Sequence, residues 1–202
     1  NNDGVYEING AGSGSHGTHA CYYFNSTIRF GLDGNAWYRA CALVGTDWHH
    51  LVLVYTAGSE ANSKVYIDGL EVSGTTTGTF PAAADLDFAG DTLNLGLHSD
   101  ALYDLNGSIS DWKFFKIALT AAQALELYQN PEQILPTGAT AANLRSYYSL
   151  DDYDISGDNN LGGLYVQDSG ALGAHGLSTN GGMEFSQPSI PQLGLRSSSS
   201  RI

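Results

Sequence analysis

Two Asp-Gly dipeptides, each set between short runs of β-branched and aromatic residues, constrain this chain more than any other feature. Asp33-Gly34 separates residues 28–32 from 35–38, and Asp68-Gly69 separates 64–67 from 70–72. A two-residue type I′ turn needs φ > 0 at both central positions, which Asp and Gly tolerate, and its twist suits antiparallel strands. Each dipeptide therefore predicts a hairpin. The first register sets Phe30 opposite Trp37. The second pairs Ile67 with Leu70 and Val65 with Val72 on one face, with Tyr66 and Glu71 on the other. A one-residue slip would expose that whole apolar set.

The remaining chain reads the same way. Residues 5–8, 20–24, 93–97, 108–116 and 144–150 have the composition of short strands. Residues 48–56, WHHLVLVYT, are apolar on both faces, as in a strand covered on both sides. Residues 74–91 read as a Thr/Gly/Ala-rich connection containing Pro81. One helix is predicted near 120–128. Thr120 and Gln123 form a capping box ahead of Ala124, Leu125, Leu127 and Tyr128, and Pro131 stops it. Charged residues make up only 14% of the chain, and glycines number 25. That balance favours many strands and tight turns over a helical protein.

The formal net charge of −13 opposes contact with phosphate backbones or anionic membranes, so no nucleic-acid partner is expected. No apolar run approaches the ~18 residues of a membrane span, so no membrane insertion is expected. Acidic loops suit a hard cation such as Ca²⁺. The two cysteines, Cys21 and Cys41, leave a bridge between neighbouring strands and a pair of buried thiols equally open. The first residues hold neither an initiator Met nor a signal-peptide pattern, which reads as a processed product or part of something longer.

Five ordered pieces between 48 and 136 resemble the laminin-G-like, concanavalin-A-like jelly-roll superfamily. They are Trp48-His49-His50-Leu51-Val52, Lys64-Val65-Tyr66-Ile67-Asp68-Gly69, Leu93-Asn94-Leu95-Gly96, the run from Leu105 to Asp111-Trp112, and Ala118-Leu119-Thr120 leading to Leu127-Tyr128. The resemblance implies an all-β, antiparallel two-sheet sandwich over 1–136, a linker over 137–143 and an extension over 144–202. The run Tyr128-Gln129-Asn130-Pro131-Glu132-Gln133-Ile134 resembles the close of such domains in tailed-phage virion proteins, as does the pattern from Leu144 through Asp168-Ser169-Gly170. No front strand matches the family's "aromatic-x-hydrophobic-x-W-V". Its place is expected to be filled by residues 144–185, by another chain or by an absent N-terminal segment; alternatively the extension begins a second repeat.

Glycosidases share this architecture, so the site decides. A retaining enzyme needs two carboxyls about 5 Å apart, as Glu-x-Asp-x-Glu on one strand supplies. The six glutamates, Glu7, Glu60, Glu71, Glu126, Glu132 and Glu184, form no such run, and no Gly-x-Ser-x-Gly elbow is present. No enzyme is expected. The histidines of His16-Gly-Thr-His19 lack a third ligand, and His49 and His50 point to opposite faces, so their role is read as structural. Asp85, Asp87 and Asp91 share one connection and are candidate Ca²⁺ ligands, with Asp111 added by resemblance. A shift of melting temperature with chelator checks that site. His98, Asp100, Tyr103 and Asp104 form a rim loop with the aromatic and carboxylates of a sugar site. Two functional readings follow. One is a non-catalytic virion component (tail, fibre or capsid surface) that assembles with its own copies or other virion proteins and binds host glycans. The other is a secreted or cell-surface lectin-like module.

Overall fold

A computed structural model describes residues 2–9, 19–32, 36–43, 45, 47–82, 92–96 and 105–148, together with the backbone of 165–166, 176–179 and 182–185. The strands are β1 (Asn2–Asn9), β2 (His19–Phe24), β3 (Thr27–Leu32), β4 (Trp37–Ala42), β5 (Leu51–Val54), β6 (Lys64–Ile67), β7 (Leu70–Glu71), β8 (Thr75–Gly78), β9 (Thr92–Leu95), β10 (Trp112–Phe115), β11 (Leu144–Tyr148), β12 (Tyr165–Val166), β13 (Gly176–Thr179) and β14 (Gly182–Phe185). They pair antiparallel in a nine-stranded sheet ordered β12-β13-β14-β9-β1-β2-β3-β4-β8, a three-stranded sheet β5-β6-β7 and a two-stranded sheet β10-β11. Among the described residues no helix is long and apolar enough to cross a membrane.

The main core lies between the layers. Ile8, Cys21, Phe30, Leu32 and Trp37 from the large sheet meet Val65, Ile67 and Tyr148 from the two smaller ones. Arg39, on β4, stacks over Trp37 at 5.4 Å and donates to the carbonyls of Ser63 and Glu60, which ties the large sheet to the turn before β6. A second cluster covers the opposite side of β5 and β6. There Val54 and Tyr66 pack with Leu119, Ala124 and Leu127 beneath helix α1 (Ala121–Gln129). The two-sided apolar pattern of 48–56 is thus accounted for. The capping box is present as read: the Gln123 N–H donates to Thr120 Oγ1, and the Thr120 N–H donates to Gln123 Oε1.

Four expectations change. The strand in 48–56 is only four residues long, because side-chain acceptors take the amides at its ends. Asp68 Oδ1 accepts from the His50 N–H at 2.9 Å, and Ser63 Oγ accepts from the Thr56 N–H at 3.0 Å. Trp48 consequently stands 69% exposed. In the first hairpin, Trp37 pairs with Leu32 and Phe30 with Arg39, so the connection is longer than Asp33-Gly34 alone. The shift is two residues, which keeps every side chain on its expected face. Phe30 and Trp37 still meet diagonally, edge to face, at 6.1 Å. The strand in 108–116 begins only at Trp112, because Asp111 has φ 55° and breaks the extended run. Residues 75–78, read as connection, form the strand β8 along β4. Its Thr-Thr-Thr-Gly sequence is exposed throughout and carries no apolar alternation to betray it.

The second hairpin has the turn and register as read, but Leu70 is 65% exposed rather than part of a covered apolar face. Asp68 (φ 53°) and Gly69 (φ 78°) make the turn, and Ile67 faces Leu70. Cys21 and Cys41 are buried free thiols. They face Phe30 and Ile28 from opposite sides of β3, which puts their backbones roughly 10 Å apart, beyond the ~7 Å a disulfide spans. β11, from the segment after Pro136, pairs with β10, and β14 pairs with β9.

The family-like motifs "W-x-H" and "Y-x-D-G" turn out to be one clamp. The Asp68 carboxylate accepts from the His50 amide and is hydrogen-bonded to His49 Nδ1 at 2.9 Å. Burial alone would raise this carboxyl, but the bonds from His49 and His50 outweigh it and hold it below the ordinary carboxylate value. Asp68→Ala is expected to lose about 2–3 kcal/mol in urea unfolding, since it removes both bonds and places Ala in a left-handed turn. Asp68→Asn keeps an acceptor and tolerates the turn, so it should lose less than half as much.

Candidate functional site on the outer face of the large sheet

The outer face of the large sheet, turned away from the core, carries the one concentration of rings around a cation among the described residues. It originates in a tight hairpin. Asn25 (φ 47°) and Ser26 (φ 57°) are both left-handed and join β2 to β3 in the geometry of a type I′ turn. The register then follows: Cys21, Ile28 and Phe30 point into the core, while Tyr22, Phe24 and Arg29 share the other face. β4 contributes Tyr38 and Ala40, with Ala40 directly opposite Arg29.

The Arg29 guanidinium carbon lies 4.2 Å from the Phe24 ring centre, 5.1 Å from Tyr38 and 6.0 Å from Tyr22. Each cation–π contact of a partly desolvated arginine contributes about 0.5–2 kcal/mol. The arginine Nε is buried and has no hydrogen-bond partner, and Arg29 makes no ion pair with a described residue. Arg29, Phe24 and Tyr38 are half-buried, and Thr75 and Thr77 beyond them are exposed. In the other direction the face closes. Glu7, Ala20, Gly31 and Asn94 are buried.

Glu7 and Asn94 belong to a further row. Glu184, Asn94, Glu7 and Ala20 occupy neighbouring positions on β14, β9, β1 and β2. Glu184 and Glu7 thus occupy the strand positions on either side of Asn94, with backbones about 10 Å apart. A search along single strands could not find this pair, because pairing rather than spacing brings it together. Glu7 is 0% exposed, so it meets no substrate in this arrangement. The Asn94 Oδ1 is buried without a hydrogen bond.

The residues singled out in the sequence fare differently. His98, Asp100, Tyr103 and Asp104 lie outside the described residues, as do Asp85, Asp87 and Asp91. Asp111 is described. Its Oδ1 accepts from the Tyr147 hydroxyl at 2.8 Å and sits 3.8 Å from Lys113 Nζ. Burial pulls the Lys113 ammonium below the usual lysine range, and Asp111 and Glu132 partly restore it. Among the described residues no group of three or more His, Cys, Asp or Glu side chains gathers as a metal site. His19 is in the core, hydrogen-bonded through Nδ1 to the Tyr6 hydroxyl at 2.8 Å. His50 tilts toward the Tyr128 ring at 6.1 Å, and His49 is held by Asp68. Arg29 was missed because its rings come from the two strands on either side of it, β2 and β4, and the Asn25-Ser26 turn that aligns β2 with β3 lacks the Asn-Gly or Asp-Gly signature.

The family model of the concanavalin A-like lectin/glucanases superfamily matches residues 4–124, taking in β1 through the first half of α1. No curated protein and no solved structure matches the chain.

Proposed function

The chain belongs to the concanavalin A-like lectin/glucanases superfamily, and from that membership we propose that it is a non-catalytic adhesion module that binds a glycan on the outer face of its large sheet. The observation that carries this is the grouping of Tyr22, Phe24 and Tyr38 around Arg29 on a half-open face. Sugar rings present C–H faces that pack on aromatic rings, and their hydroxyls take hydrogen bonds from polar groups beside those rings. The small Ala40 lies opposite Arg29 beside the half-buried Phe24 and Tyr38, while Tyr22 is buried. The non-catalytic part rests on the carboxylates: Glu7 is buried, and no glutamate pair alternates along a strand.

The setting in this proposal is a virion surface, on the resemblance of residues 128–134 to phage virion proteins; a secreted lectin-like module is the alternative. An assembly role alongside glycan binding is favoured by two exposed apolar side chains, Trp48 at 69% and Leu70 at 65%, on segments joined by the Asp68 clamp. A contiguous patch formed by the two would mark an interaction site.

A glycan array probed with the full chain tests the proposal. Binding to a defined subset of glycans is expected, reduced at least about tenfold in a Phe24→Ala/Tyr38→Ala variant that melts cooperatively. No binding, or binding indifferent to those rings, contradicts it. Release of new reducing ends from a bound glycan contradicts the non-catalytic part.

A further inference from the structure

We infer that the glycan this face takes is acidic, with a carboxylate seated on Arg29 and the sugar ring on the neighbouring aromatic rings. The inference rests on the glycan-binding reading above and adds the chemical class of the ligand. Its starting point is an imbalance. The chain carries 21 acidic residues against 8 basic ones, yet Arg29 has no carboxylate partner among the described residues. The other arginine of the same hairpin region, Arg39, is fully engaged, donating to two backbone carbonyls and lying 4.0 Å from the Glu60 carboxylate. Both arginines stack on rings, but among the described residues Arg29 has no hydrogen-bond or ion-pair partner, and its buried Nε donates to nothing.

Rings on several sides hold the guanidinium in place and keep water from part of it. A guanidinium fixed in this way loses little further freedom on binding, and its planar donors match a carboxylate two at a time. Partial desolvation strengthens that pairing relative to an exposed arginine. A neutral sugar would gain only the ring contact, whereas an acidic sugar adds a charge-assisted pair with the terminal guanidinium nitrogens, which are not among the buried unpaired atoms. The acidity of the rest of the protein then works as a filter: polyanions such as nucleic acids are repelled over their length, while a single carboxylate can be taken at one cationic point.

Isothermal titration of the full chain with sialyllactose and with trigalacturonate, each beside lactose and the methyl-esterified trigalacturonate, tests this. At least one acidic saccharide is expected to bind at least about tenfold tighter than its neutral counterpart. Arg29→Ala should abolish that preference, and Arg29→Lys should recover only part of it, because an ammonium cannot make the paired contact. Unchanged melting of Arg29→Gln separates loss of recognition from loss of fold. Equal affinity for acidic and neutral saccharides, or a preference that survives Arg29→Ala, overturns the inference while leaving glycan binding intact. Absence of binding to any of the four, with a blank array, overturns both.

Discussion

Acidification from neutral pH to about pH 4 is expected to cost the fold about 3 kcal/mol through His19 alone, before the carboxylates contribute. His19 sits in the core with Phe30 edge-on to its ring at 4.6 Å, and burial drops its pKa from 6.5 to about 3. It is therefore neutral in the folded protein and protonated in the unfolded chain below about pH 6.5. A depressed folded pKa means full stability above the unfolded value and a steady loss as the pH falls toward the folded one. His50 adds to the loss with the same sign, because burial and then Lys113 lower it as well. Asp68 and Glu126, both held below their ordinary values, act only at lower pH. Urea unfolding measured at intervals between pH 7 and pH 4 checks this. The parent should lose stability from about pH 6.5 downward. His19→Gln, although less stable at neutral pH, should show a visibly flatter dependence. A parent whose stability is level down to about pH 4.5 would mean that His19 is not buried as described.

The second large effect concerns the contact between the Asp68-Gly69 turn and α1. Gly69 has φ 78°, and a Cβ there would lie 2.9 Å from Leu125 Cδ1, 3.1 Å from the Leu125 backbone and 3.1 Å from Tyr128 Cβ. Gly69→Ala therefore carries both a left-handed backbone penalty and a displacement of the helix, together about 2–4 kcal/mol. Gly96 supplies a matched control. Its φ is 72°, but a Cβ would find only Leu105 Cβ at 3.9 Å. Gly96→Ala should cost only the backbone term, about 1 kcal/mol. Thermal melts of the two variants separate the terms, and hydrogen exchange should show faster opening of α1 in Gly69→Ala alone. Equal losses in both would mean that the helix does not bear on the turn.

Where local chemistry dictated structure, the sequence was readable. The Asp68-Gly69 turn and the Thr120–Gln123 capping box each need only their own neighbours, and both are present as read. The two-sided apolar pattern around Leu51–Val54 also told its environment, since one face meets the main core and the other meets α1. What escaped depends on distant partners. The ends of β5 are set by Asp68 and Ser63, which lie 18 and 7 residues away from the amides they accept from. β8 exists because β4 offers an edge, and its threonines carry no period of their own. The candidate site is the extreme case. Arg29 reads as one polar residue in an alternating strand until two registers, β2 with β3 and β3 with β4, place Tyr22, Phe24 and Tyr38 around it. Rim loops drew attention to His98, Asp100, Tyr103 and Asp104 because they are rich in polar and aromatic residues, whereas a sheet face disperses its residues along the chain.

The central claim is that recognition happens on the outer face of the large sheet. Backbone amide shifts of the labelled full chain, followed while sialyllactose or trigalacturonate is added, test it most directly. The expected result is saturable movement centred on Tyr22, Phe24, Arg29 and Tyr38, with the amides around Trp48 and Leu70 unmoved. Saturable movement confined to the Trp48 side, or to residues away from β2, β3 and β4, would contradict it.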